Sequence, residues 1–277
     1  MTTNTSPGIT TRFLVFSDTH GLDSLPDSVS SEYADVAIHC GDLTTESKLD
    51  EYKASIRFLQ AVNAPLKRSP ELVDQVYGRY GEVRRILNEA TGITVLDEGT
   101  YSFRLQNGAS LTVYASPYTP SFGDWGFQYR PDHGFDIQNV DLVITHGPPK
   151  GIMDYTYSGE RAGCPYLFEA IARARPRMHC FGHIHHGWGA KLVTWRRNVS
   201  QKPSHLTDID NGSSVLIDKL ATLTPKGLST TSHCSGDPDP LIYGSHTLFV
   251  NAAIEGTADL PVQPLWLVDL ELQPALT

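Results

Sequence analysis

Four short blocks of Asp, His and Gly each stand directly behind an apolar run, and this repetition constrains the fold of the 277-residue chain more than any other feature. The blocks are Ser17-Asp18-Thr19-His20, Gly41-Asp42, Thr145-His146-Gly147-Pro148-Pro149 and Gly182-His183-Ile184-His185. The runs in front of them, FLVF, ADVAIHC, DLVI and RMHCF, read as buried strands. In an open α/β sheet, ligands gather outside the carboxyl ends of the strands. Asp and His side chains delivered to four such ends therefore converge on one place.

Other periodicities fill in the architecture. Strands are expected near 12–17 and 35–40. A helix follows, because Leu49, Tyr52, Ile56, Phe58 and Leu59 recur at roughly helical spacing, with Thr44 or Thr45 as its cap and Pro65 closing it. Leu72, Val76, Val83, Ile86 and Leu87 outline a second helix over 71–90. Residues 93–116 read as short strands with a hairpin turn at Asn107-Gly108. The loop SPYTPSFGDWGFQYRPD suits a rigid rim beside a pocket. Strands near 141–145 and 177–181 flank a helix near 164–174, and strands return near 246–253 and 264–272. Alternating strands and helices predict a layered α/β sandwich, its parallel pairs joined by helical crossovers. From about 190 to 245 the chain becomes polar and turn-rich, with one short helical candidate at 213–222. That stretch reads as an insertion, with a lid as one role for it, inside a single domain spanning 12–277.

Composition removes several classes of function. A formal net charge of −9 argues against a nucleic-acid polymer as partner, because nonspecific affinity for phosphate backbones comes from basic surface. A small phosphate ester stays compatible, since bound metals invert the local field. No run approaches the ~20 apolar residues of a membrane span, and MTTNTSPGITTRF has no secretory pattern, so no membrane partner and a cytoplasmic location are expected. The four cysteines form no Cys-x-x-Cys pair, and Cys40 and Cys180 sit in apolar runs, which reads as reduced, buried thiols. Oligomeric state is left open.

The chemistry of the blocks is that of two divalent cations about 3.5–4 Å apart, which activate water and polarise a phosphoryl oxygen when they share a carboxylate. Asp18 and His20 supply one side, Asp42 the bridge, and His146, His183 and His185 the rest. Mixed oxygen and nitrogen ligation suits Mn, Fe or Zn better than Mg or Ca. Taken singly, Asp18 could cap a turn and Asp42 a helix; convergence of all four blocks outweighs both readings. His39 and His179 lie inside strands and read as structural, and His186 as solvent-facing. His133, His205 and His233 sit in polar loops and read as surface residues, as do Arg161 and Arg196. Tyr118, Phe122, Trp125, Phe127 and Tyr129 read as local loop packing.

FSDTHG, HCGDLT, ITHGPP and GHIHHG, in this order, resemble the calcineurin-like metallophosphoesterase superfamily. SPYTPSFGDWGFQY, THGPPKGIMDY and RAGCPYLFEAIARARPRMHCFGHIHHGWG resemble its metallophosphoesterase-domain branch of metallophosphodiesterases. The resemblance covers roughly 12–190 and about 246–254. It implies an αββα sandwich holding two divalent metal ions. Asp18, His20, Asp42 and His185 would surround the first, and Asp42, His146 and His183 the second, with Asp42 and His146 also catalytic. The implied reaction is hydrolysis of small phosphodiesters, cyclic nucleotides among them, by a metal-bound hydroxide.

One expected block does not occur. The superfamily carries Gly-Asn-His-Asp/Glu behind a third strand, its Asn completing the second metal and its His serving as leaving-group acid. Between Asp42 and His146 the asparagines are Asn63, Asn88, Asn107 and Asn139, none followed by His. Asn63 follows a helix, not a strand, and does not substitute. A deletion at about Lys67/Arg68 accounts for the gap and leaves open the loss of one central strand. A weak second metal site and reduced activity are expected. The alternative is a non-catalytic metal- or nucleotide-binding regulatory protein.

Overall fold

The computed structural model describes residues 7–24, 29, 31–70, 82–120, 127–129, 133–223, 227–256 and 260–276. Strands β1 (Ile9–Phe16), β2 (Val36–His39), β3 (Leu66–Pro70) and β4 (Ile93–Leu96) run parallel and adjacent. On the other side of β1, β15 (Leu265–Leu272) pairs antiparallel, and β13 (Leu228–Ser232) lies parallel outside it. The resulting six-stranded sheet has the order β13-β15-β1-β2-β3-β4. A second, seven-stranded sheet has a parallel heart of β6 (Ser110–Ser116), β9 (Leu142–Thr145), β10 (Met178–Phe181) and β14 (His246–Asn251). β5 (Gly99–Arg104) joins it through a hairpin, and β11 (Gly189–Trp195) and β12 (Ile209–Lys219) extend the opposite edge. Two short strands, β7 (Thr119–Pro120) and β8 (Gln128–Tyr129), pair apart from both sheets.

The alternation of side chains along each strand explains the layers. Phe13 and Val15 point one way and meet Ile38, Trp266 and Val268 of their own sheet and Val113, Ile144, Cys180, Leu192 and Val250 of the other. Leu14 and Phe16 point the opposite way, toward Tyr52, Phe58 and Leu59 of α1 (Leu49–Ala61) and Leu87 of α2 (Glu82–Glu89). The far face of the second sheet is covered likewise, Val143, Phe181 and Phe249 packing on Leu167, Phe168 and Ile171 of α3 (Pro165–Ala174). Both faces of the central strands are thus buried, which is why they read as continuous apolar runs. Each fully buried aromatic or aliphatic side chain contributes about 1.5–3 kcal/mol. The layers are helix, sheet, sheet, helix, as the sequence implies.

Several local expectations are corrected. The central strand whose loss was left open is present: β3 fills the slot between β2 and β4, with Val36 opposite Leu66 and Lys67 opposite Ile93. The helical candidate at 213–222 is instead most of β12, followed by a single 3-10 turn over Leu220–Thr222. Val215 and Ile217, two residues apart, both pack on the inter-sheet core, which is a strand period. The cap of α1 is Lys48, not Thr44 or Thr45; its N–H donates to Glu51 Oε2 at 2.9 Å, within the first turn. The part of the second expected helix at 71–81 lies outside the described residues, and α2 accounts for the rest. The 190–245 stretch is built into the sandwich, supplying β12 at the edge of one sheet and β13 at the edge of the other. All four cysteines are free thiols, three of them buried. No described helix is long and apolar enough to cross a membrane.

Candidate metal centre

Ser17 and Ala253, just past β1 and β14, form a parallel bridge, so the carboxyl ends of both parallel sets open on the same edge. The loops there are laced together by backbone bonds. Asp18 N donates to Gly41 O (2.9 Å), His20 N to Asp42 O (3.1 Å) and Gly182 N to His146 O (2.9 Å). His183 N then donates to both carboxylate oxygens of Asp18, at 3.1 and 3.0 Å, and ties the two sheets to each other. The close approach demands glycine at two points. A Cβ on Gly41 would stand 2.6 Å from His146 Nδ1, and one on Gly182 would overlap the Asp18 carboxylate.

Backbone strain is concentrated here. Asp18, His20, Asp42 and His183 have φ of 56°, 43°, 56° and 66°. Such left-handed conformations are uncommon outside glycine and persist only where surroundings enforce them, commonly at functional sites. The lacing just described supplies that enforcement.

The structure brings all six sequence-predicted residues together in two groups. Asp18, His20 and His185 offer ligand atoms within 4.8 Å of one another, and so do Asp42, His146 and His183. The groups adjoin through Asp42, whose Oδ2 lies 3.5 Å from His146 Nε2 and 3.9 Å from His20 Nε2. Asp18 Oδ1 is 3.4 Å from His185 Nε2.

Electrostatics follow from this crowding. Burial would push the Asp18 carboxyl up, yet hydrogen bonding to His185 and the positive charge of His146 and His185 hold it well below the usual carboxylate range. Burial would likewise lower His146, but the hydrogen bond and charge of Asp42, with Asp18 behind it, raise it to about 9. Its neighbour His183 moves the other way, lowered by desolvation and by the charge of His146. The Asp42 carboxylate thus favours the protonated form of the His146 imidazole.

Supporting residues fix the imidazoles. His146 Nδ1 faces Cys40 O at 3.2 Å, leaving Nε2 toward Asp42. The expected structural histidines behave as such. His39 accepts from Gly41 N at Nδ1 (3.1 Å) and reaches Thr19 Oγ1 through Nε2 (2.9 Å), propping two of the ligand loops. His179 Nε2 stands 2.9 Å from Thr145 Oγ1, whose proton goes to Gly147 O. Burial lowers both imidazoles to about 3, so each is neutral. His186 is exposed and meets Tyr157 edge-on, with ring centroids 5.1 Å apart. These two residues, with His183, His185, Thr156 and Gln263, line a cleft of about 300 Å³.

Other expectations need correction. His233 is buried, with Nδ1 2.7 Å from Asp239 O. His133 is held 2.9 Å from Glu98 and stacks on Tyr129 at 4.6 Å. Arg161 is committed to the buried carboxylate of Asp154. Tyr118 and Phe127 pack against each other, as expected; Phe122 and Trp125 lie outside the described residues.

Two residues at this edge were missed. Asn251, at the end of β14, donates to Ile184 O (3.0 Å) and clamps the loop carrying His183 and His185. Glu255 places Oε2 2.8 Å from His20 Nε2 and 3.3 Å from His185 Nδ1. Both follow from the pairing of β14, which runs parallel to β10, so residues at and behind its end face the same edge.

A pair of divalent cations fits this donor set. His20 Nε2 is buried and forms no hydrogen bond, although carboxylate oxygens of Glu255 and Asp42 lie nearby. An orphaned imidazole nitrogen among carboxylates is costly unless a cation takes its lone pair.

No family model matches the chain. It is 31% identical over 213 residues to human metallophosphoesterase domain-containing protein 1, covering 66% of this chain and 63% of that protein. It is also 31% identical over 196 residues to a probable rhamnogalacturonate lyase C of Emericella nidulans, covering 66% of this chain but 18% of that protein. The chain thus spans less than two thirds of the length of either relative. Among solved structures, the phosphopantetheinyl hydrolase of Mycobacterium tuberculosis aligns at a TM-score of 0.44 and 14% identity, over 69% of this chain and 87% of that one. With the ordered strand-end blocks now seen to meet at one edge of a two-sheet sandwich, the chain is similar in sequence to the human metallophosphoesterase domain-containing protein, and its donor groups lie where the resemblance to calcineurin-like metallophosphoesterases implies.

Proposed function

We propose that this chain is a metal-dependent phosphoesterase that hydrolyses small phosphodiesters, with Asp18, His20, Asp42, His146, His183 and His185 as its metal ligands. The observation that carries the reading is the position of Asp42, whose Oδ2 reaches His146 of one group and His20 of the other. A shared carboxylate is what fixes the spacing of a two-cation centre. Bound there, Mn, Fe or Zn ions supply Lewis acidity toward a phosphoryl oxygen and activate a water molecule.

The chain's own residues do the rest. Asp42 would serve both cations, and Asp18, buried and held by His183 N–H, keeps the sheets in register around the centre. His146, with Nδ1 directed to Cys40 O, presents Nε2 inward. The cleft beside His183 and His185 takes the ester's organic group, and its aromatic wall of Tyr157 and His186 suits a flat ring such as a nucleobase. A volume of about 300 Å³ and a net charge of −9 favour a small ester over a nucleic-acid polymer, with no membrane partner. A cytoplasmic location accompanies four free cysteines.

Activity is reduced in this reading, because no Asn-His pair follows β3 in the sequence. A missing general acid costs on the order of 10²–10⁴ in rate. The same observation favours the second reading, binding of metal or nucleotide without turnover. Assaying a chromogenic phosphodiester with Mn2+, Fe2+ or Zn2+, alongside Asp42→Asn, separates the two. Turnover lost in the variant supports the esterase; no turnover with any cation, in a protein that binds them, supports the second reading.

A further inference from the structure

We infer that Glu255 is a seventh metal ligand, giving the Asp18–His20–His185 position a second carboxylate. The inference rests on the two-cation reading above and adds a residue that the four blocks do not contain. Its Oε2 lies 2.8 Å from His20 Nε2, the spacing of a hydrogen bond, yet His20 Nε2 makes none. The two atoms are close without being aimed at each other. Donors that converge on a common cation have this relation: their lone pairs point to a shared centre and not along the line between them. The same oxygen is 3.3 Å from His185 Nδ1, and His185 Nε2 is 3.4 Å from Asp18 Oδ1. Glu255 therefore touches two of the three members of the group.

Chain placement supports this. Glu255 follows β14 as Asp18 follows β1, and the loop between is pinned by Ile254 N donating to Ser17 O at 3.0 Å and by the Ser17–Ala253 bridge. Gln263 Nε2 donates to Glu255 O at 3.1 Å and holds its backbone from the other side. The side chain is 48% exposed, so its desolvation cost is low and it can exchange a water-facing position for a cation. An added carboxylate makes the first position harder and more anionic than the second, favouring Mn or Fe there over Zn.

The test is titration of the metal-free full chain with Co2+, read by d–d absorption and by calorimetry, for the native protein, Glu255→Gln and His20→Ala. Glu255→Gln should weaken one of two Co2+ sites at least 10–100-fold and shift its d–d bands, while His20→Ala removes that site. Loss of affinity with an unshifted spectrum would make Glu255 a positioning residue for His185 and overturn the ligand assignment. Unchanged affinity and spectrum in Glu255→Gln would overturn the inference while leaving the two-cation reading intact. Failure of the native chain to bind Co2+ at all would overturn that reading itself. Melting curves without metal, expected to coincide for native protein and Glu255→Gln, show that any change in binding is not a folding defect.

Discussion

The two ligand groups draw opposite shares from the two sheets. The first takes Asp18 and His20 from the six-stranded sheet and His185 from the seven-stranded one; the second takes Asp42 from the former and His146 and His183 from the latter. They differ in what surrounds them. The first has Glu255 beside it, with a buried Asp18 held by two N–H···O contacts from His183. The second leans on Asp42, which is shared, and the strand that should bring it another donor, β3, ends at Pro70 ahead of Glu71 and Leu72. The contrast teaches that a strand and the residues behind it are separable: the slot in the sheet is filled, and the ligand block is not there.

The largest predicted effect falls on Asp42, the member of the second group whose carboxylate also approaches His20 of the first. Asp42→Asn should lower kcat/KM by at least on the order of 10³-fold, because centre-wide transition-state stabilisation worth several kcal/mol is lost. It should also lower affinity at both positions; a selective loss at one would break the symmetry of the comparison. Next in size is repair of the poorer group. Since β3 is present, an Asn-His pair grafted behind it, and not a new strand inserted at Lys67/Arg68, is the appropriate repair. It should raise turnover by about 10²-fold, the low end for a restored general acid, and tighten only the weaker metal. Equal rates before and after would mean that the gap does not limit this chain.

A third prediction concerns protons. The pKa of His146 is raised from its ordinary 6.5 to about 9 by Asp42, overriding burial. The charged pair therefore stabilises the metal-free fold fully below about pH 6.5, and that contribution is lost as pH rises through about 9. A cation needs the neutral ring, so binding at the second group must expel this proton. Its apparent affinity should rise about tenfold per pH unit across that interval, with proton release visible in buffers of different ionisation enthalpy. A flat profile would sink the assignment. The smallest effect is expected from Asn251→Ala, which removes the clamp on Ile184 O. A cost of about 1–3 kcal/mol, read as a lower Tm, should leave both metals bound, with the group containing His185 loosened more.

How much of this was legible in the sequence depended on whether the signal was local. FLVF, ADVAIHC, DLVI and RMHCF announce strands buried on both faces, and the Asp and His behind them announce the edge. β3 was not legible, because Leu-Lys-Arg-Ser-Pro has no apolar run; its strand state comes from the slot between β2 and β4, a long-range pairing. β12 was misread as helix because Val215, Leu216 and Ile217 are consecutive, and only the core beside them selects alternate residues. Glu255 escaped notice because no His or Asp stands next to it to make a pattern. His133 and His233 were misjudged for the opposite reason: polar neighbours in sequence hid aromatic and carbonyl neighbours in space.

Every donor at this edge sits one or more residues beyond the last rung of its ladder. The final paired residues are Phe16 and His39, Cys180 and Ile144, Ser116 and Thr145, and Phe181 and Asn251; the Asp, Glu and His side chains all come after them. Architecture and chemistry are therefore written in separate stretches of the same chain. A lineage with this plan can delete, swap or recruit a reactive group without unpicking a single sheet bond, so catalytic decay and catalytic innovation both start from an intact scaffold.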